Sequence, residues 1–97
     1  MDLRTRIQSG AVFYDVDTQN DFMHKDGNLY VPNAERIIPN IEKLTAYARK
    51  HESVILAGSV DNHYETDAEP KRNGGSFPDH CMEGTEGQKK IIETLPI

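Results

Sequence analysis

Two short apolar runs with a helical stripe between them leave this chain little choice of architecture. Ala11-Val12-Phe13-Tyr14-Asp15-Val16 is rich in β-formers, follows Ser9-Gly10 and ends in a polar cluster that begins at Asp17. A buried strand of a parallel sheet reads this way when its carboxyl end carries function. Ser53-Val54-Ile55-Leu56-Ala57-Gly58 is the second strand candidate, closing in small residues just before Asp61. Between the two, Ile37, Ile38, Ile41, Leu44, Tyr47 and Ala48 recur at three- and four-residue spacing against a charged face of Glu42, Lys43, Arg49 and Lys50. That is the signature of an amphipathic helix. Strand, helix, strand in this order implies a right-handed crossover and two parallel strands, so Asp17 and Asp61 emerge at the same edge of the sheet.

The boundaries carry their own signals. Asn33 reads as the helix N-cap, and Glu35 places a carboxylate in the first turn, where the helix dipole favours it. Arg36 stands three residues after the cap, so no capping box forms. Pro39 must either end a first helical turn, with a fresh start just before it, or kink a single helix. Asp15 interrupts the first apolar run and requires either a polar partner or a strand less buried than a central one. Ile91, Ile92 and Leu95 suggest a last short helix between Glu86 and Leu95.

Most of the chemistry lies in residues 59–85, a segment full of turn residues and poor in apolar ones, the kind of segment in which a rigid fold displays a site. Asp61, His63 and His80 offer two imidazoles and a carboxylate, enough to bind a divalent transition ion while leaving positions open for water or substrate. The D-x-H spacing also occurs at ordinary polar strand ends, so by itself it leaves surface histidines as the alternative. Asp17-Thr18-Gln19-Asn20-Asp21-Phe22 puts a carboxylate just beyond a strand, well placed to take or give a proton. A polar turn of self-bonding Asp and Asn residues is the competing reading. Glu69 or Asp67 is the candidate for a fourth ligand. His24 has no partner at metal spacing, and Cys81 beside His80 reads as a small buried residue with no base placed for it.

Composition narrows the classes. The chain has 97 residues, net charge -5 and 36% hydrophobic residues, with a mean hydropathy of -0.68. It is long enough for one small domain but lean for a self-sufficient core. The acidic balance argues against a nucleic-acid or anionic-membrane surface. Small molecules or proteins remain as partners. A single cysteine forms no internal disulfide, and the first ten residues lack the apolar core of a signal peptide, which together fit a cytoplasmic protein.

Four blocks in order then resemble a known family: the strand followed by Asp17-Thr-Gln-Asn-Asp21-Phe22, Val31-Pro-Asn-Ala-Glu-Arg-Ile-Ile-Pro-Asn-Ile41, Asp61-Asn-His63, and Phe77-Pro-Asp-His80-Cys-Met-Glu-Gly84-Thr85. Over residues 10 to 90 the chain resembles the nicotinamidase branch of the isochorismatase-like cysteine hydrolases. The resemblance implies an α/β, doubly wound fold with a central parallel sheet and flanking helices, of which residues 1–97 form the amino-terminal portion. It implies hydrolysis of nicotinamide to nicotinate and ammonia through a cysteine thioester. Asp17 matches the catalytic aspartate. Asp61, His63 and His80 match ligands of a divalent metal, zinc above all with iron and manganese as alternatives, and Phe22 and Phe77 match aromatic positions lining the substrate pocket. The fourth-ligand position varies in the family, and Glu69 is the choice here.

The departures are informative too. The family's catalytic lysine and nucleophilic cysteine lie farther along, so Cys81, Lys89 and Lys90 are not assigned to the triad. Asp79 stands where a second proline is common. The expectation is therefore an amidase active only with a complementary carboxyl-terminal segment or chain, and a homo-oligomer when complete. The alternatives are a related cysteine hydrolase acting on another small amide or carbamoyl compound, or a non-catalytic metal-binding or partner module.

Overall fold

The two apolar runs do form strands, and the computed structural model describes residues 2, 4, 8, 10–67 and 74–96. Strand β1 (Ala11–Val16) pairs in parallel with β2 (Val54–Ser59), Ala11 opposite Val54 and Val16 opposite Ser59. One helical turn, α1 (Asn20–Met23), follows β1, and the long helix α2 (Ile38–Lys50) joins the strands and packs on β2. The result is an α/β arrangement of parallel strands with a flanking helix. No helix among the described residues is long and apolar enough to cross a membrane.

Pro39 resolves as a fresh start. A 3-10 turn, Ala34–Ile37, ends where α2 begins, and Pro39 occupies the first turn of α2, where its missing N–H has no carbonyl to meet. Asn33 does not cap with its side chain. It takes a left-handed φ of 69°, which asparagine tolerates better than most residues, and its backbone N–H donates to the Tyr30 hydroxyl at 3.0 Å. The buried line of α2 is also narrower than the apolar stripe. Thr45 and Ala48 are buried and Ile38 and Ile41 half-buried, whereas Ile37, Leu44 and Tyr47 are about half exposed. Thr45 tolerates full burial because its hydroxyl donates to the Ile41 carbonyl at 2.8 Å.

Strand β1 departs from the expected buried strand. Val12, Tyr14 and Val16 are 53%, 58% and 61% exposed, while Asp15 is buried. The period-2 alternation thus turns Val12, Tyr14 and Val16 outward and Asp15, with the half-buried Phe13, inward, and the outer face of this two-stranded sheet is open among the described residues. Asp15 has the polar partner that its position requires. Lys90 Nζ lies 2.8 Å from Asp15 Oδ2 and 3.3 Å from Thr18 Oγ1, and Thr18 Oγ1 donates to the same carboxylate oxygen at 2.7 Å.

The segment that carries Lys90 does not form the expected last helix. Instead of one helix from Glu86 to Leu95, the chain makes two 3-10 turns, Glu86–Gln88 and Ile92–Thr94. The residues between are extended and bridge to Gln19, with Asn20 N–H donating to Lys89 O and Ile91 N–H to Thr18 O, each at 2.9 Å. Tertiary hydrogen bonds to the exit of β1 outweigh a weak local helix propensity. Ile91 joins Met23 and Ala34 in the small buried core.

Candidate metal and carboxylate site

Asp17 is the first residue beyond β1 and adopts a left-handed φ of 57°. Its N–H donates to Ser59 O at 3.0 Å, and Ser59 Oγ donates to its Oδ1, also at 3.0 Å. The parallel register therefore places this carboxylate at the end of β2 as well as β1. It borders an open, mostly apolar groove of about 600 Å³ shared with Phe22, Val31 and Ala34. A non-glycine residue held in this sparsely populated region costs on the order of 1 kcal/mol, a strain that is often found at functional positions.

Asp61, His63 and His80 come together, as the resemblance implied and their spacing alone left open. One ligand atom from each lies within 4.8 Å of the others. Asp61 leaves β2 two residues past its end. His63 is joined to the later loop by a parallel bridge to Met82, with His63 N–H donating to Cys81 O at 2.9 Å and Glu83 N–H to His63 O at 2.8 Å. This bridge carries His80, a residue distant in sequence, up against His63, their ring centroids 4.8 Å apart.

The hydrogen bonds fix which ring nitrogens face inward. His80 Nδ1 lies 2.8 Å from the Pro78 carbonyl, which only accepts, so the proton sits on Nδ1. His63 Nδ1 lies 3.1 Å from Asp67 Oδ2. Hydrogen bonds from the Tyr64 N–H and from His63 hold Asp67 below the usual carboxylate range, so it too is an acceptor. His80 Nε2 is then a lone-pair donor facing Asp61 Oδ2 at 3.3 Å, whereas His63 has a carboxylate oxygen at each ring nitrogen, Asp67 Oδ2 on Nδ1 and Asp61 Oδ2 2.8 Å from Nε2. Three electron-rich atoms converge where only a proton or a cation can reconcile them. The donor set fits a borderline divalent ion such as zinc, and the outer bonds to Asp67 and the Pro78 carbonyl are those that orient histidine ligands.

Phe22 links the two halves of the site, lining the Asp17 groove while its ring sits 5.6 Å from that of His80. Phe77 meets His80 edge-on at 6.0 Å and is 43% exposed. Asp67, a fourth-ligand candidate in the sequence, instead holds the far nitrogen of His63. Glu69 lies outside the described residues. Asp79 is not what orients His80, since the neighbouring Pro78 carbonyl takes that hydrogen bond. Asp21 is buried, and its carboxylate accepts from Cys81 N–H at 2.7 Å and Asn28 N–H at 3.0 Å. Gly87 packs against that carboxylate so closely that a Cβ would stand 2.2 Å from Asp21 Oδ2. Lys90 faces Asp15, and Lys89 pairs with Glu86 on the surface.

Cys81 is fully buried. Burial, with the carboxylates of Asp61, Asp21 and Asp17 adding to it, pushes its thiol up to about 12 from an ordinary 9.0. At pH 8 the folded chain therefore carries roughly a thousandth of the thiolate of a free cysteine. Iodoacetamide should leave Cys81 unmodified at pH 8 in the folded protein and alkylate it readily in urea; rapid labelling of the folded form would contradict this assignment. Because the folded value is the raised one, the buried thiol contributes its full stability below pH 9 and loses it progressively as pH climbs toward 12.

Solved structures share this architecture. A pyrazinamidase from Pyrococcus horikoshii in complex with zinc superposes with a TM-score of 0.78 at 27% identity, over 84% of this chain and 45% of that one. An isochorismatase-like hydrolase from Alkaliphilus metalliredigens gives 0.79 at 27% identity, over 92% of this chain and 48% of that one. This is an isochorismatase-like hydrolase fold. A nicotinamidase from Bacillus subtilis carries the same isochorismatase-like fold, with a TM-score of 0.70 and 28% identity over 84% of this chain and 44% of that one. The chain spans about half the length of these structures and is related to nicotinamidases. No protein-family profile and no curated protein matches it.

Proposed function

We propose that this chain contributes the carboxylate and the metal-binding half of a metal-dependent amidase that hydrolyses nicotinamide to nicotinate and ammonia. The observation that carries the reading is the convergence of Asp61, His63 and His80, with their outer hydrogen bonds in place, next to Phe22, which lines a mostly apolar groove bordered by Asp17. Residues 1–97 are in this reading the amino-terminal portion of one isochorismatase-like domain in the cytoplasm. Further polypeptide covers the open face of β1 and supplies the lysine and the nucleophilic cysteine, because Lys90 is committed to Asp15 and the Cys81 thiol is buried and protonated.

Asp17 accepts the proton of the incoming thiol, and the thiolate attacks the amide carbon. The C–N bond breaks as that proton passes to the departing nitrogen, leaving a thioester and ammonia. Water then cleaves the thioester to nicotinate and restores the thiol. Phe22 and Phe77 hold the ring between them. Asp61, His63 and His80 would hold a divalent ion, zinc in the first instance, which when bound would supply Lewis acidity toward the ring nitrogen.

Native and denaturing mass spectrometry of the purified protein, combined with ammonia release from nicotinamide and a panel of small amides, tests this. A companion polypeptide bearing a cysteine and a lysine is expected, with turnover that Asp17→Ala abolishes while bound metal is retained. A cooperatively folded 11 kDa monomer without turnover would leave a metal-binding module instead. Preference for a different amide would move the substrate but keep the chemistry.

A further inference from the structure

We infer that Gln19 is a positioning residue for the Asp61 carboxylate, setting the geometry of the three-donor site without touching what binds there. The inference rests on the metal reading of that site. Gln19 is completely buried. Its side-chain amide brackets the backbone of Asp61: Oε1 accepts from Asp61 N–H at 2.8 Å, and Nε2 donates to Asp61 O at 2.7 Å. The second N–H of the same amide reaches Gln88 O at 2.5 Å.

Asp61 lies beyond the end of β2, outside any strand. Its neighbour on the sheet side is thus a side chain that imitates one step of a β-ladder, offering a donor and an acceptor at peptide spacing. Only a primary amide does both. Glutamate would have no donor for the two carbonyls, and an apolar side chain would leave the Asp61 N–H and the Gln88 carbonyl without these bonds and Asp61 O with only the longer one from Gln88 Nε2 at 3.4 Å. Gln19 is itself anchored, its N–H on Asp17 O at 2.9 Å and its carbonyl accepting from Met23 N–H at 2.9 Å. One residue thereby couples the backbone of the Asp17 turn to that of Asp61. Since Asp61 Oδ2 must stay within reach of two imidazole nitrogens, a swing of its backbone opens the whole set.

The test is titration with Co2+, whose visible absorption reports coordination geometry. Gln19→Met is expected to weaken Co2+ binding by about 10- to 100-fold, as loss of an outer-shell partner does, and to change the band shape, with Asp61, His63 and His80 intact. Thr45→Val is the control, equally buried but on α2; it should lower the melting temperature and leave both readouts unmoved. Wild-type affinity and spectrum in Gln19→Met would overturn the positioning role alone. Failure of the unsubstituted chain to take up Co2+ would overturn the metal reading and this inference with it. Should Gln19→Met not fold, hydrogen exchange of the Asp61 amide in the unsubstituted, metal-free protein decides. Protection comparable to that of β2 is expected, and exchange at the rate of an open loop would refute the clamp.

Discussion

Replacing His80 with alanine should abolish tight binding of divalent transition ions, and His63→Ala should do the same, whereas Asp17→Ala should leave binding unchanged. The reason is the direction of the lone pairs. Both Nε2 atoms point at Asp61 Oδ2, with the far nitrogen of His80 bonded to the Pro78 carbonyl and that of His63 to the Asp67 carboxylate, and each ligand removed takes away a third of the donor set. A cation that satisfies this convergence in the folded state and finds no such site in the unfolded chain is coupled to folding. At a free concentration a thousand times its Kd it adds about 4 kcal/mol of stability. Chelation should therefore lower the melting temperature of the unsubstituted protein by a large margin and that of His80→Ala hardly at all. Stoichiometric metal in both histidine variants, measured by elemental analysis after dialysis, would refute the site. Alanine at position 80 also removes packing against Phe22 and Phe77. The chelator response, a difference within each variant, separates that loss from loss of metal.

The second large effect concerns the buried ion pair beneath Asp17. Asp15 and Lys90 side chains are each 9% exposed, so Lys90→Met leaves a carboxylate in the interior with only the Thr18 hydroxyl to compensate it. Removing one partner of such a pair costs about 3–5 kcal/mol, a large share of the roughly 5–15 kcal/mol that holds a domain together. The melting temperature should fall on the order of 15–30 °C for a chain of this size. The double substitution Asp15→Leu with Lys90→Met should recover much of that loss, because a well-packed apolar pair needs no desolvation of charge. Urea melts of the four proteins in the cycle give the coupling directly, and a Lys90→Met penalty below about 1 kcal/mol would mean that water reaches the pair.

Periodicity explains why much of the fold was legible. The two strand runs and the α2 stripe are local patterns, and a strand–helix–strand order by itself requires parallel pairing with both polar clusters at one edge. Pro39 was legible as a choice between two outcomes, since a residue without an N–H fits only a first turn or a kink. The motif blocks placed Asp17, Asp61, His63 and His80, and the structure brings the last three within 4.8 Å of one another.

The rest depended on contacts between residues far apart in the chain. Gln19 reads in sequence as one more member of a polar turn, and nothing local connects it to Asp61, 42 positions later. Asp67 offered a weak signal, four residues from His63, but whether it faced an ion or the far ring nitrogen was set by the turn at Tyr64. The expected last helix gave way to an extended segment whose backbone bonds to Thr18 and Asn20, residues far earlier in the chain. The sequence by itself determined the two strands, the long helix between them, their order and the candidate donors, because these follow from local spacing and side-chain chemistry. Only the tertiary structure decided which face of β1 turned inward, which nitrogen of each histidine faced the site and which side chains held the donors in place. Those outcomes follow from burial and from satisfying each polar group in three dimensions, a condition that spacing along the chain does not encode.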